Sequence, residues 1–94
     1  MQGRRLVEVE NIGGPTLGEF VRELRGAAGL GQVQLAEALA HVSGCTQAAI
    51  SRLENDLWLP DAGQLEHLLR TLRATETEAR TARCLAAALS VRGE

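Results

Sequence analysis

The chain is 94 residues long, 45% hydrophobic but only 2% aromatic, with a formal net charge of −2. That length makes one small domain with a modest core, and a core of Leu, Ala, Val and Ile suits packed helices better than a sheet. No apolar run is long enough to span a membrane, no basic-then-apolar leader points to secretion, and two cysteines, Cys45 and Cys84, make no disulfide framework, so a cytoplasmic location is expected.

Residues 1–15 read as an N-terminal tail or arm. Arg4 to Glu10 alternates weakly, enough for a short strand that Gly13, Gly14 and Pro15 would end. As a terminus it is a loose tail; as a functional arm, Arg4 and Arg5 would reach DNA phosphate or the minor groove. Thr16 and Glu19 then form a capping box, which predicts helix 1 from Leu17 to about Ala28, with Leu17, Phe20, Val21 and Leu24 as its apolar stripe. Gly29 closes it in the left-handed conformation. Gly31 caps helix 2 only weakly, having no side-chain acceptor. Helix 2 is expected from Gln32 to about Val42, with Leu35 and Leu39 on one face and Gly44 as its stop.

Thr46 is a good N-cap for helix 3, expected over Gln47 to Asn55. Cys45 precedes that cap and Ile50 is the fourth helical residue, the spacing of a hydrophobic staple. Asp56 can end helix 3 in a left-handed conformation, which Asp tolerates better than most residues. Leu57, Trp58 and Leu59 lead to Pro60. Two readings stand for these three: Trp58 packs on helix 4 or 5 and finishes the core, or all three form an exposed patch for a protein partner. Asp61 with Gln64, and Thr75 with Glu78, are further capping boxes. They predict helix 4 over about Ala62 to Arg73, with Leu65, Leu68, Leu69 and Leu72 inward, and helix 5 over about Glu76 to Val91, with Ala79, Ala82, Leu85, Ala86 and Leu89 on one face. Residues 16–74 thus read as the functional domain and residues 75–94 as a C-terminal helix.

Once Ile50 and Leu53 point inward, helix 3 turns Gln47, Ala48, Ser51, Arg52 and Asn55 to solvent. A merely solvated face would more often carry Glu and Lys. Gln and Arg reach base edges, and small residues let a helix sit deep in the major groove. Helices 2 and 3 therefore read as a helix-turn-helix whose second helix is the reading element. The net charge alone does not favour nucleic acid, because phosphate binding needs cations, but a small DNA reader needs positive charge on only one face. All ten cations are Arg, the better bidentate partner for phosphate and guanine, although a GC-rich genome would produce the same bias. Arg22, Arg25, Arg70 and Arg73 share their helices with acids, where exposed pairs are worth at most about 1 kcal/mol.

Other chemistries fit poorly. His41, Cys45, His67 and Cys84 include one close pair, His41 and Cys45, but no second close pair to complete a zinc site. There is no Gly-rich phosphate loop, no nucleophile elbow and no carboxylate pair set to be buried together, so no enzyme, metal or cofactor is implied.

The stretch from Leu17 to Leu72 resembles the lambda repressor/Cro-like helix-turn-helix domains, or XRE family. The matching residues are Leu24-Arg25, Gly29-Leu30, Gln32, Leu35-Ala36, Ile50-Ser51-Arg52-Leu53-Glu54, Pro60 and Leu65. The resemblance implies an all-α, five-helix domain that binds double-stranded DNA, mostly as a homodimer on a palindromic operator. It places Thr46, Gln47, Ala48, Ser51 and Arg52 at base-reading positions, Gln32 and Asn55 at phosphate-contacting ones, and Arg25 with Glu54 as a structural ion pair between helices 1 and 3. Three features depart from the family: Gly31 replaces a Ser or Thr, Asp56 replaces a Gly, and Ala36 and Ile50 lie fourteen apart, which elongates the turn between helices 2 and 3.

Two functions follow. One is a dimeric, sequence-specific transcriptional regulator, with helix 5 as the dimerisation element or, alternatively, folded back on its own domain. The other is a protein-interaction module on the same fold, antitoxin-like or an adaptor, with weak or no DNA binding.

Overall fold

The computed structural model describes residues 15–92, so the strand or arm expected around Arg4 and Arg5 lies outside the described residues. Five helices follow one another: α1 (Leu17–Ala27), α2 (Gln32–Ala38), α3 (Gln47–Glu54), α4 (Ala62–Thr71) and α5 (Glu76–Arg92). No strand occurs among the described residues, and the fold is all-α.

The helix starts are built by local side chains. Thr16, Asp61 and Thr75 each accept the N–H of a residue three further on, while Glu19, Gln64 and Glu78 reach back to the cap's own N–H. Gly31 has only the return half: its N–H donates to Gln34 Oε1 at 2.7 Å. The ends of α1, α3 and α4 share another device. In each, the residue after the cap is left-handed, at Gly29 (φ 76°), Asp56 (φ 62°) and Arg73 (φ 57°). The following N–H then bonds back across the last turn, from Leu30 to Arg25, Leu57 to Arg52 and Ala74 to Leu69.

Helix α2 is shorter than its apolar pattern predicts. It ends at Ala38 rather than near Val42, with Leu39 as its cap. The chain leaves the helix through tight turns, with the Ala40 N–H on the Glu37 carbonyl and the Val42 N–H on the Leu39 carbonyl. Leu39 at the cap and Cys45 beyond the turns are both buried in the core. The turn between α2 and α3 therefore takes in residues 39–46.

Helix α3 packs against α1 and α2, and α1 also packs against α5. The core is one cluster: Leu17, Val21 and Leu24 of α1; Leu35 and Leu39; Cys45, Ile50 and Leu53; the four leucines of α4's stripe; and Ala79 and Ala82 of α5. Leu85, Ala86 and Leu89 are half-buried against it, as is Trp58. The α5 stripe is thus folded back on its own domain, buried at Ala79 and Ala82 and half-buried from Leu85 on. The connector before Pro60 divides: Trp58 packs on the core, whereas Leu57 is 74% exposed and Leu59 is also exposed.

Candidate nucleic-acid interface

Helix α3 separates two kinds of residue. Ala49, Ile50, Leu53 and Glu54 are buried, and Thr46, Gln47, Ala48, Arg52 and Asn55 are exposed, with Ser51 half-buried. The Thr46 hydroxyl accepts the Ala49 N–H at 3.1 Å and starts the helix, and Cys45 and Ile50 close beneath it as a buried staple. At the other end Asn55 Nδ2 donates to the Ser51 carbonyl at 2.9 Å. Arg52 makes no ion pair among the described residues, so its guanidinium is available at the surface.

Beneath this face lies a buried charge cluster. The Glu54 side chain is fully buried and Arg25 is only 17% exposed. Arg25 grips the carboxylate with both prongs of its fork, Nε to Oε2 at 2.6 Å and Nη2 to Oε1 at 2.9 Å. A third donor, Arg25 Nη1, bonds the Leu30 carbonyl at 2.9 Å and so ties the link between α1 and α2 into the same cluster. Gln32 Nε2, from the first residue of α2, donates to Glu54 Oε1 at 2.9 Å. Burial pushes the Glu54 carboxyl pKa up, but hydrogen bonds from Arg25 and Gln32 and the charges of Arg25 and Arg22 outweigh it and hold the group below the usual carboxylate range. Three helices thereby meet on one carboxylate.

A second clamp joins α3 to the start of α1. Asp56, just past α3, accepts the Thr16 hydroxyl at 2.9 Å and the Gly18 N–H at 3.1 Å. The helices approach so closely here that a Cβ on Gly18 would sit 2.3 Å from the Leu53 carbonyl oxygen. Gly18 and Asp56 were not among the expected site residues. Their signals were a Gly inside a capping box and an Asp where the resembled family has Gly, and neither names its partner 38 residues away.

The elongated turn is fastened to α4. Gln64 Nε2 donates to the Ser43 carbonyl at 2.9 Å. The His41 and His67 rings meet edge to face with centroids 5.5 Å apart. Gly44, at φ 86°, lies close under the Gln64 amide, where a Cβ would be 2.7 Å from Nε2. Cys45 is buried and Cys84 exposed, and burial followed by the Asp61 charge pushes the Cys45 thiol pKa up, which suits an apolar staple. Among the described residues no three His, Cys, Asp or Glu side chains are grouped to hold a metal ion, and no helix is long and apolar enough to cross a membrane.

Two consecutive helices joined by a turn, the second packed inward on Ile50 and Leu53 and polar outward, define a helix-turn-helix architecture. The helix-turn-helix domain family model matches residues 16–82, and the protein belongs to that family. The matched span includes Ala79 and Ala82, the α5 residues that join the core. No curated protein and no solved structure matches the chain.

Proposed function

We propose that this protein is a sequence-specific DNA-binding transcriptional regulator of the lambda repressor/Cro-like kind, acting in the cytoplasm on a palindromic operator as a homodimer. The observation that carries this reading is the outward face of α3: exposed Thr46, Gln47, Ala48 and Arg52 with Ser51 beside them, and no acid among these five. In the major groove, Arg52 and Gln47 would supply bidentate contacts to guanine and adenine, while Ala48 and the Thr46 and Ser51 side chains permit close approach. Gln32 and Asn55 would hold the DNA backbone on either side. Two copies would pair through the part of Leu85, Ala86 and Leu89 on α5 that the domain's own core leaves uncovered. The two α3 helices would then need to stand about 34 Å apart to enter successive major grooves.

The exposed Leu57 and Leu59 support a second reading, a protein-interaction module on this fold. A gel shift against genomic fragments across a salt series tests the choice. A fragment retained at salt that abolishes non-specific binding is expected of the regulator, and no retention on any fragment leaves the interaction module. Sedimentation of the parent and of Leu85→Glu/Leu89→Glu tests the dimer: a parent that stays monomeric at high concentration rules it out.

A further inference from the structure

Arg22 projects from α1 beside the buried carboxylate of Glu54 and reaches it only at the edge of ion-pairing distance, without a hydrogen bond. Both Glu54 oxygens already accept hydrogen bonds, Oε2 from Arg25 Nε and Oε1 from Arg25 Nη2 and Gln32 Nε2. Arg22 Nε stands 3.8 Å from Oε1, outside hydrogen-bonding distance, and its side chain is 62% exposed. In charge, Arg25 alone cancels Glu54, so Arg22 is a surplus cation at the rim of the cluster. The acids on its own helix leave it so: Glu19, one turn earlier, is turned back onto the Thr16 N–H, and Glu23 makes no ion pair among the described residues. The attraction of Glu54 still orients the guanidinium, drawing it toward the oxygen that Gln32 holds. Arg22 and Gln32 are therefore neighbours across one buried oxygen. Gln32 spends one amide N–H on Glu54 and keeps the other.

We propose that Arg22 is a further backbone-contacting residue, which takes a DNA phosphate together with the remaining N–H of Gln32. The proposal rests on the DNA-binding reading of this protein. A guanidinium fork matches two phosphate oxygens, and Arg22, exposed and without a hydrogen bond to Glu54, has its N–H donors open to a ligand. The contact carries no sequence information; it sets how α2 and α3 sit on the duplex.

The test is the salt dependence of binding to a short random-sequence duplex, where phosphate contacts dominate. Arg22→Gln is expected to bind several-fold more weakly at low salt, with its plot of log affinity against log salt shallower by about 0.9, the release accompanying one phosphate contact. Arg22→Lys, which keeps the charge, should retain the parent slope. Arg80→Gln, on the exposed face of α5, removes a cation elsewhere and should also retain it. A merely structural role would lower the unfolding midpoint of Arg22→Gln and leave the slope alone. The parent's slope in Arg22→Gln, or an equal loss in Arg80→Gln, overturns the proposal while the DNA-binding reading stands. A parent that binds no duplex at any salt overturns both.

Discussion

Asp56, the residue that ends α3, accepts the hydroxyl of Thr16, the residue that starts α1, at 2.9 Å. A left-handed backbone at a non-glycine residue costs about 1–2 kcal/mol, and Asp56 offsets it by capping a second helix as well. Arg73 holds a similar backbone, with φ of 57°, and has no side-chain hydrogen bond or ion pair among the described residues. The two should respond oppositely to glycine. Arg73→Gly should stabilise by up to about 1 kcal/mol, the strain relieved less the entropy glycine loses. Asp56→Gly should destabilise by about 1 kcal/mol, because the bonds from Thr16 and Gly18 are lost, each worth about 1 kcal/mol at this partly exposed site. Urea unfolding of the two variants decides it; stabilisation by both would mean that the clamp contributes little.

Breaking the Arg25–Glu54 pair should cost about 3–5 kcal/mol, because it strands a desolvated charge. Arg25→Ala should be the more damaging change. It leaves Glu54 fully buried with Gln32 as its hydrogen-bond partner, whereas in Glu54→Ala the partly exposed Arg25 can turn toward water. Equal midpoints for the two variants in denaturant would show that Arg25 is as trapped as Glu54.

The same pair predicts an acid dependence. The folded-state pKa of Glu54 is depressed, so the unfolded chain binds the proton more readily. The stabilisation is complete above the unfolded carboxyl pKa of about 4.3 and is lost as pH falls through the lower folded value. Stability measured from pH 7 down should therefore fall more steeply below about pH 4.3 in the parent than in Glu54→Gln. Parallel curves for the two proteins would contradict this.

Gly18→Ala tests the close approach of α1 to α3, beside both the Leu53 carbonyl and the Asp56 carboxylate. In an exposed helix Ala would stabilise, but here its Cβ would meet the backbone oxygen of Leu53, which cannot rotate away. Overpacking of this kind costs about 1–3 kcal/mol. The thermal midpoint should fall; a rise would mean that the helices separate without loss.

On DNA, Arg52→Ala should weaken binding to the preferred site by about 1–3 kcal/mol and affect random sequence less. Gln32→Ala should weaken all sequences alike, since a phosphate contact positions without specifying, and should also lower stability because Glu54 loses a donor. Titrations against specific and random duplexes separate the two. A uniform loss in both variants would remove the distinction between reading and anchoring.

What could be read from the sequence was whatever is decided within one helical turn. Capping at Thr16, Thr46, Asp61 and Thr75 is a bond between near neighbours, so the starts of α1, α3, α4 and α5 were legible. So was the apolar face that makes Ile50 and Leu53 core and leaves Gln47 and Arg52 outside. The pairing of Arg25 with Glu54 was suggested by the family resemblance, since no local rule joins residues 29 apart. The end of α2 departs from the pattern because Leu39 and Val42 continue a helical period, while the chain turns early to carry Cys45 under α3 and Ser43 to Gln64. Tertiary packing alone decided that Asp56 clamps Thr16, that Gly18 must lack a side chain, that Ala79 and Ala82 are spent on the domain's own core, and that Arg22 is left over beside a carboxylate already neutralised. Each of these depends on the distance between helices far apart in the chain, and that distance is set by how their side chains fill the space between them.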